Sequence, residues 1–243
     1  MTTQFTTRIT YFLQEGRENL YECLRTAFRA ALKHNIEKII IFTAQGVGVA
    51  LALDEFCSKP EFSRIKLVAV TFPVGKPFTD ANGKPLAIDI GGELKERFRQ
   101  NAIPVIRAHM PFDPIAPQSS DRGILAHDLS LVESALNAFG GSMSLCIQAV
   151  MIACDAGEVG WGEHVIAVTS DTAILAQAAP TRQMLRDLAV REILCKPVIY
   201  NIGRAETKAD QTAGEIEASR QPHKVLEGHV VPSRRASKGK PPE

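Results

Sequence analysis

Residues 39–53 read IIIFTAQGVGVALAL, and what they form decides the fold. β-branched and aromatic residues lead into a short turn bearing Gly46 and Gly48, and helix-forming residues follow. KIIIF (38–42) is apolar on both faces, as suits a central strand covered by helices on each side, and VALALDEFCSK (49–59) continues as a helix. A strand, a glycine turn and a helix make half of a β-α-β unit. They are also the shape of a loop that cradles phosphate.

The alternation extends in both directions. RITYFL (8–13) predicts a short strand and QEGREN (14–19) a loop. The next segment places Leu20, Cys23, Leu24, Ala27, Phe28, Ala31 and Leu32 at helical spacing, with Asn19 and Glu22 in a capping-box relation. RIKLVAVTF (64–72) and IPVIRA (103–108) read as buried strands with the helix GGELKERFRQN between them, and long connections span 73–90 and 109–123. LAHDLSLVESALNAF and SLCIQAVMIACDAG predict two helices parted by Gly140 and Gly141, the second apolar nearly all round and therefore buried. HVIAVTS (164–170) predicts a strand, DTAILAQAA (171–179) a short helix ended by Pro180, and REILCKPVIY (191–200) a last strand. Such a chain builds a mostly parallel sheet with helices on both faces, and ligands bind such sheets at the strands' carboxyl ends. Residues 203–243 turn polar and charged and read as a disordered tail, which leaves 1–202 as the α/β domain.

Composition narrows the function. The 243 residues are 45% hydrophobic and 23% charged, the balance of an ordinary globular protein. With 28 Lys and Arg against 27 Asp and Glu, the net charge of +1 offers no field for nucleic acid or an anionic membrane. Apolar runs stop short of the ~20 residues that span a bilayer, and MTTQFTTRIT lacks the apolar core of a secretion signal, so a cytoplasmic location is expected. The five cysteines (23, 57, 146, 154, 195) include no C-x-x-C pair and are expected as reduced, buried thiols. Cys146 and Cys154 sit on one helix about 12 Å apart, too far to bridge. His109, His127 and His164 lack the short spacing of metal ligands, so no metal site is expected.

Three turns carry polar chemistry. In TAQGVG, Thr43 offers a hydroxyl, Gly46 and Gly48 let the backbone approach a ligand, and the helix start presents free N–H groups. The spacing matches neither a P-loop nor a dinucleotide fingerprint, so a tight turn with close helix packing is the competing explanation. In AVTSDTAILA, Thr169, Ser170, Asp171 and Thr172 supply hydroxyls and a cap, and capping alone would account for Ser170 or Asp171. In QEGREN, Gly16, Arg17 and Asn19 follow the first strand, where Arg17 either pairs with a phosphate or is simply solvated.

YFLQEGREN (11–19), the glycine turn after KIIIF, the helix end ACDAG (153–157), VIAVTSDTA (165–173) and EILCKP (192–197) occur in an order that resembles the stand-alone pyruvate kinase C-terminal-domain-like family, over roughly residues 8–198. The resemblance implies a three-layer α/β/α sandwich whose mostly parallel sheet has an antiparallel last strand. In pyruvate kinase the related domain binds a sugar-bisphosphate effector through hydroxyl-bearing turns; that role would fall here on Gly16, Asn19, Thr43, Gly46, Gly48, Thr169, Ser170 and Thr172. This chain departs from the pattern in TAQGVG, in Gln148 where an acid is usual, and in a shortened turn after VIAV. Pyruvate kinase's catalytic barrel lies outside such a domain, so that activity is not expected. The expectation is a cytoplasmic protein that holds a phosphorylated metabolite or nucleotide, with flavin mononucleotide a candidate cofactor and a homo-oligomer left open. The alternatives are an enzyme using Asp155, His109 or Asp171 for acid–base work, and an interaction module acting through the 73–90 loop or the tail.

Overall fold

Seven strands hydrogen-bond into one sheet: β1 (Thr10–Phe12), β2 (Lys38–Phe42), β3 (Lys66–Thr71), β4 (Val105–Arg107), β5 (His164–Val168), β6 (Ala173–Gln177) and β7 (Ala189–Pro197). Their spatial order is β1-β7-β6-β5-β2-β3-β4. The structure, a computed structural model, describes residues 4, 6–74, 88–113 and 124–198. The segment 203–243 and most of the 73–90 loop lie outside the described residues.

The sheet is the middle of three layers. Helices α1 (Leu20–His34), α2 (Val47–Ala52) and α3 (Gly92–Gln100) pack on one face with Ile39, Ile41, Leu67, Ala69, Ile166 and Val168. Helices α4 (Ile124–Asn137) and α5 (Met143–Asp155) cover the other face, over Ile40, Val68, Val70, Val165 and Ala167. The alternation of neighbours between the two sets is the period-two geometry of a strand, and both sets are apolar because both faces are covered. A four-residue helix, α6 (Met184–Asp187), precedes β7. As its all-round apolarity predicts, α5 is the buried helix, with Cys146, Ala149, Val150 and Met151 inaccessible.

Helix α1 buries Cys23, Leu24, Ala27, Phe28 and Ala31 at the predicted spacing, while Leu32 at the edge of that stripe is exposed. Phe28 stacks on Phe56 with centroids 4.7 Å apart and meets Phe62 edge-on at 5.1 Å. Burying a side chain of that size is worth about 1.5–3 kcal/mol. The helix ends where Asn35 turns left-handed (φ 52°) and Ile36 N–H bonds Ala31 O at 2.8 Å. The expected capping box does not form. A 3-10 turn over Arg17–Asn19 leads into α1, the Asn19 side chain accepts no amide of the first turn, and its Nδ2 donates to Gln14 O at 2.7 Å.

Two elements differ from expectation in a way that matters for the site. The helix expected over 171–179 is the strand β6, antiparallel to both β5 and β7. Its Ala and Leu favour helix, but Ala173, Ile174 and Ala176 are fully buried between two ladders, and tertiary position overrides local propensity. The last strand, β7, does pair antiparallel with β6 and also runs parallel to β1, so β6 is the strand opposed to all the others. The second difference is that α2, which starts at Val47 as expected, gives way to a π-helical turn over Leu53–Cys57.

The chain runs outward from β2 to β3 and β4 on one side, and from β5 to β6 and β7 on the other. β2 and β5 are parallel neighbours, with Ile39 opposite Ile166 and Ile41 opposite Val168. Their carboxyl ends therefore form the crevice where strand order reverses.

Candidate functional site

A cleft of about 270 Å³ opens at this crevice. Thr43, Ala44, Gln45, Val47 and Gly48 come from the β2–α2 corner, Thr169 and Ser170 from the β5–β6 turn, and Arg17 and Leu20 from the approach to α1. Phe42, Phe72, Ser142 and Leu145 complete the wall. Phe42 and Phe72 meet edge-to-face with centroids 4.7 Å apart, so the cleft combines an aromatic wall with hydroxyls and one guanidinium. A larger hollow, about 420 Å³, lies at the opposite end of the sheet beside Lys38 and Lys66. Lys38 there is already engaged, with Glu158 O at 2.8 Å and Glu163 Oε2 at 3.0 Å, and the amino ends of parallel strands are not where such sheets bind ligands.

The β2–α2 corner is built by packing. Thr43 Oγ1 accepts the Gly46 N–H at 3.0 Å and closes the turn, keeping its own proton to donate. Gly46 has φ +85°, and a Cβ there would sit 3.1–3.2 Å from Ile90, Leu94 and Phe98. A Cβ on Gly48 would come within 3.1 Å of Ile41. Both glycines thus have a packing duty that needs no ligand. Gly48 lines the cleft, and Gly46 is buried away from it.

The β5–β6 turn is a hairpin, which corrects the strand-to-helix turn expected there. Thr169 N–H bonds Thr172 O at 2.8 Å, and Thr172 N–H bonds Thr169 Oγ1 at 3.2 Å, so a hydroxyl replaces the carbonyl that would close the turn. No helix follows, and neither Ser170 nor Asp171 is a helix cap. Asp171 is 4% exposed and turned inward, and Thr172 is wholly buried. Asp171 Oδ2 accepts the Gly16 N–H at 3.1 Å, and Oδ1 accepts from Thr172 Oγ1 at 3.0 Å and Ser142 Oγ at 3.4 Å.

Of the ten residues singled out by sequence, the fold brings Arg17, Thr43, Gly48, Thr169 and Ser170 to one cleft. Gly16, Asn19, Gly46, Asp171 and Thr172 are not among the residues that line it. Arg17 is exposed and has no partner among the described residues. The residues that sequence reasoning missed include Phe72, Leu145 and Ser142. Ser142 carried a signal, since it is the polar residue between the Gly140–Gly141 break and the apolar α5.

The acid–base candidates are occupied elsewhere. Asp155 accepts the Thr181 N–H at 3.0 Å and the Thr181 hydroxyl at 2.5 Å, which fastens the turn before α6. His109 Nε2 lies 3.0 Å from Asp113 O. Gln148 Oε1, buried, accepts the Phe112 N–H at 3.0 Å and anchors the chain after β4. The cysteines are free, but Cys57 and Cys154 are only half-buried, against the expectation of burial for all five. Burial pushes the Cys23 and Cys146 thiols well up, and the Cys195 thiol 3.3 Å from Cys23 adds to the effect on Cys23. Cys23 and Cys146 are therefore not thiolate nucleophiles near neutral pH. Among the described residues, no group of three or more His, Cys, Asp and Glu side chains could hold a metal ion, and no helix is long and apolar enough to cross a membrane.

No family model matches the chain. Among solved structures, it is similar to the pyruvate kinase of Cryptosporidium parvum, with a TM-score of 0.33 and 14% identity, over 66% of this chain. The match takes in 22% of that protein's length.

Proposed function

We propose that the cleft between the β2–α2 corner and the β5–β6 turn binds a small molecule through one phosphate, with an apolar or aromatic body against Phe42 and Phe72. Cytoplasmic nucleoside monophosphates and flavin mononucleotide have this composition. The observation that carries the proposal is Arg17. It is the one cationic side chain among the described lining residues, it has no partner among the described residues, and it shares the cleft with the Thr43 and Ser170 hydroxyls. A guanidinium and hydroxyls around one opening are the donors a phosphate monoester uses.

One cation favours one anionic group. The chain's resemblance to stand-alone pyruvate kinase C-terminal-domain-like proteins agrees with this reading and belongs to the same proposal, but the bisphosphate ligand of pyruvate kinase itself is not carried over. The engagement of Asp155, His109 and Asp171 in structural bonds leaves the acid–base reading without a supporting observation.

A thermal-shift titration with inorganic phosphate, adenosine monophosphate and flavin mononucleotide tests the proposal. At a hundredfold excess over Kd, a bound ligand stabilises by about 2.7 kcal/mol, a shift of several degrees. Arg17→Ala should abolish most of the shift. If none of the three ligands moves the midpoint of the parent protein, the proposal is wrong.

A further inference from the structure

We propose that Asp171 is a positioning residue, whose buried carboxylate fixes where Arg17 stands relative to the Ser142 wall of the cleft. The inference rests on the phosphate-binding reading given above and assigns Asp171 a role other than contact with the ligand. A carboxylate taken out of water is costly unless its oxygens are satisfied. Here the donors are all neutral: the Gly16 amide, the Thr172 hydroxyl and the Ser142 hydroxyl. Among the described residues no Lys or Arg pairs with it, so these three bonds carry the whole compensation.

The bonds tie down segments that carry or adjoin the cleft's lining residues. Gly16 has φ +142°, a conformation that other residues rarely adopt, and its N–H is held by Asp171 from 155 residues away. Asn19 closes the same loop twice, with its side chain on Gln14 O at 2.7 Å and its N–H on Gly16 O at 3.3 Å. Arg17 is the next residue after Gly16. Its guanidinium has no partner among the described residues, so the backbone that Asp171 holds sets the point from which the side chain reaches. On the other side, Ser142 is tied by its hydroxyl to Asp171 and by its N–H to Thr172 Oγ1 at 3.0 Å, and Thr172 Oγ1 in turn donates to Asp171. One carboxylate therefore sets the spacing of the cation and the opposite wall.

The test is Asp171→Asn, which keeps the shape and removes the charge, in the full chain. Amide hydrogen exchange over residues 13–19 should rise by about tenfold or more, while exchange over β5 and β6 stays at the parent level. Inorganic phosphate, titrated calorimetrically, should bind about tenfold more weakly to Asp171→Asn and to Arg17→Ala, with no further loss in the double variant. Gly16→Ala keeps the N–H but is strained at φ +142°, so it shifts the same link from the loop side and should reproduce both changes, which keeps the test decisive if Asp171→Asn does not fold. Unchanged exchange over 13–19, or parent-like phosphate affinity in a variant with a loosened loop, overturns the positioning role. If Arg17→Ala itself leaves phosphate affinity unchanged, the functional reading fails, and the exchange result still decides whether Asp171 holds the loop.

Discussion

Replacing Gly46 and Gly48 separately by alanine distinguishes a corner shaped by packing from one kept open for a ligand. At Gly46 the cost has two parts. An L-residue at φ +85° costs about 1–2 kcal/mol. A methyl 3.1–3.2 Å from Ile90 Cγ2, Leu94 Cδ1 and Phe98 Cε2 adds about 1–3 kcal/mol, because Ile90 and Phe98 are fully buried and have nowhere to retreat. A total of about 2–5 kcal/mol is expected, or about 4–20 °C in Tm for a domain of this size. At Gly48 the terms oppose each other. Alanine gains about 1 kcal/mol of helix propensity inside α2 and loses a similar amount against Ile41 Cγ2 at 3.1 Å. The net change should lie within about 1 kcal/mol of zero. Urea unfolding followed by circular dichroism, with both variants measured beside the parent, reads the difference. Equal losses at the two positions, or a Gly46→Ala variant within about 0.5 kcal/mol of the parent, would refute the packing argument.

Three further outcomes follow from the same geometry. Thr43→Ala leaves the buried Gly46 N–H without an acceptor and should cost about 1–3 kcal/mol, whereas Thr43→Ser keeps the oxygen and should recover most of it; equal losses in urea unfolding would place the effect in the methyl group. Asp155→Ala should cost about 0.5–2 kcal/mol by releasing Thr181, yet leave any phosphate-induced thermal shift intact; loss of that shift would put Asp155 in the site after all. Burial raises the Cys57 thiol from 9.0 to about 11. The folded state therefore holds this proton more tightly than the unfolded one, and its contribution to stability is full below pH 9 and lost as pH rises towards 11. Cys57→Ala should flatten that decline without abolishing it, since Cys23 and Cys146 are pushed the same way; an unchanged slope would contradict the assignment.

Much of the architecture was legible in the order of the elements. The helical spacing of Cys23, Leu24, Ala27 and Phe28 is the buried stripe of α1, and the unbroken apolarity of Ile39–Ile41 marks a strand covered on both faces. Half of the candidate residues also reach one cleft. β6 is a strand and not the expected helix because a short run such as AILA suits either, and only its place between β5 and β7 decides between them. Asn19 and Glu22 show a similar limit. The spacing permits a capping box, but the Gln14 carbonyl takes the Asn19 side chain first.

IIIFTAQGVGVALAL by itself determined that the chain enters a covered strand, turns a corner on glycine and leaves as a helix, because period, apolarity and backbone freedom are local properties. It left undecided whether the corner meets anything. Only the tertiary structure seats β5 beside β2, brings Arg17 and Ser142 to the two turns, and turns Asp171 inward to hold them. The β2–β5 pairing and the Gly16–Asp171 bond join segments more than a hundred residues apart, and the free energy that selects them belongs to the assembled sheet and its buried hydrogen bonds, which no single stretch of sequence contains.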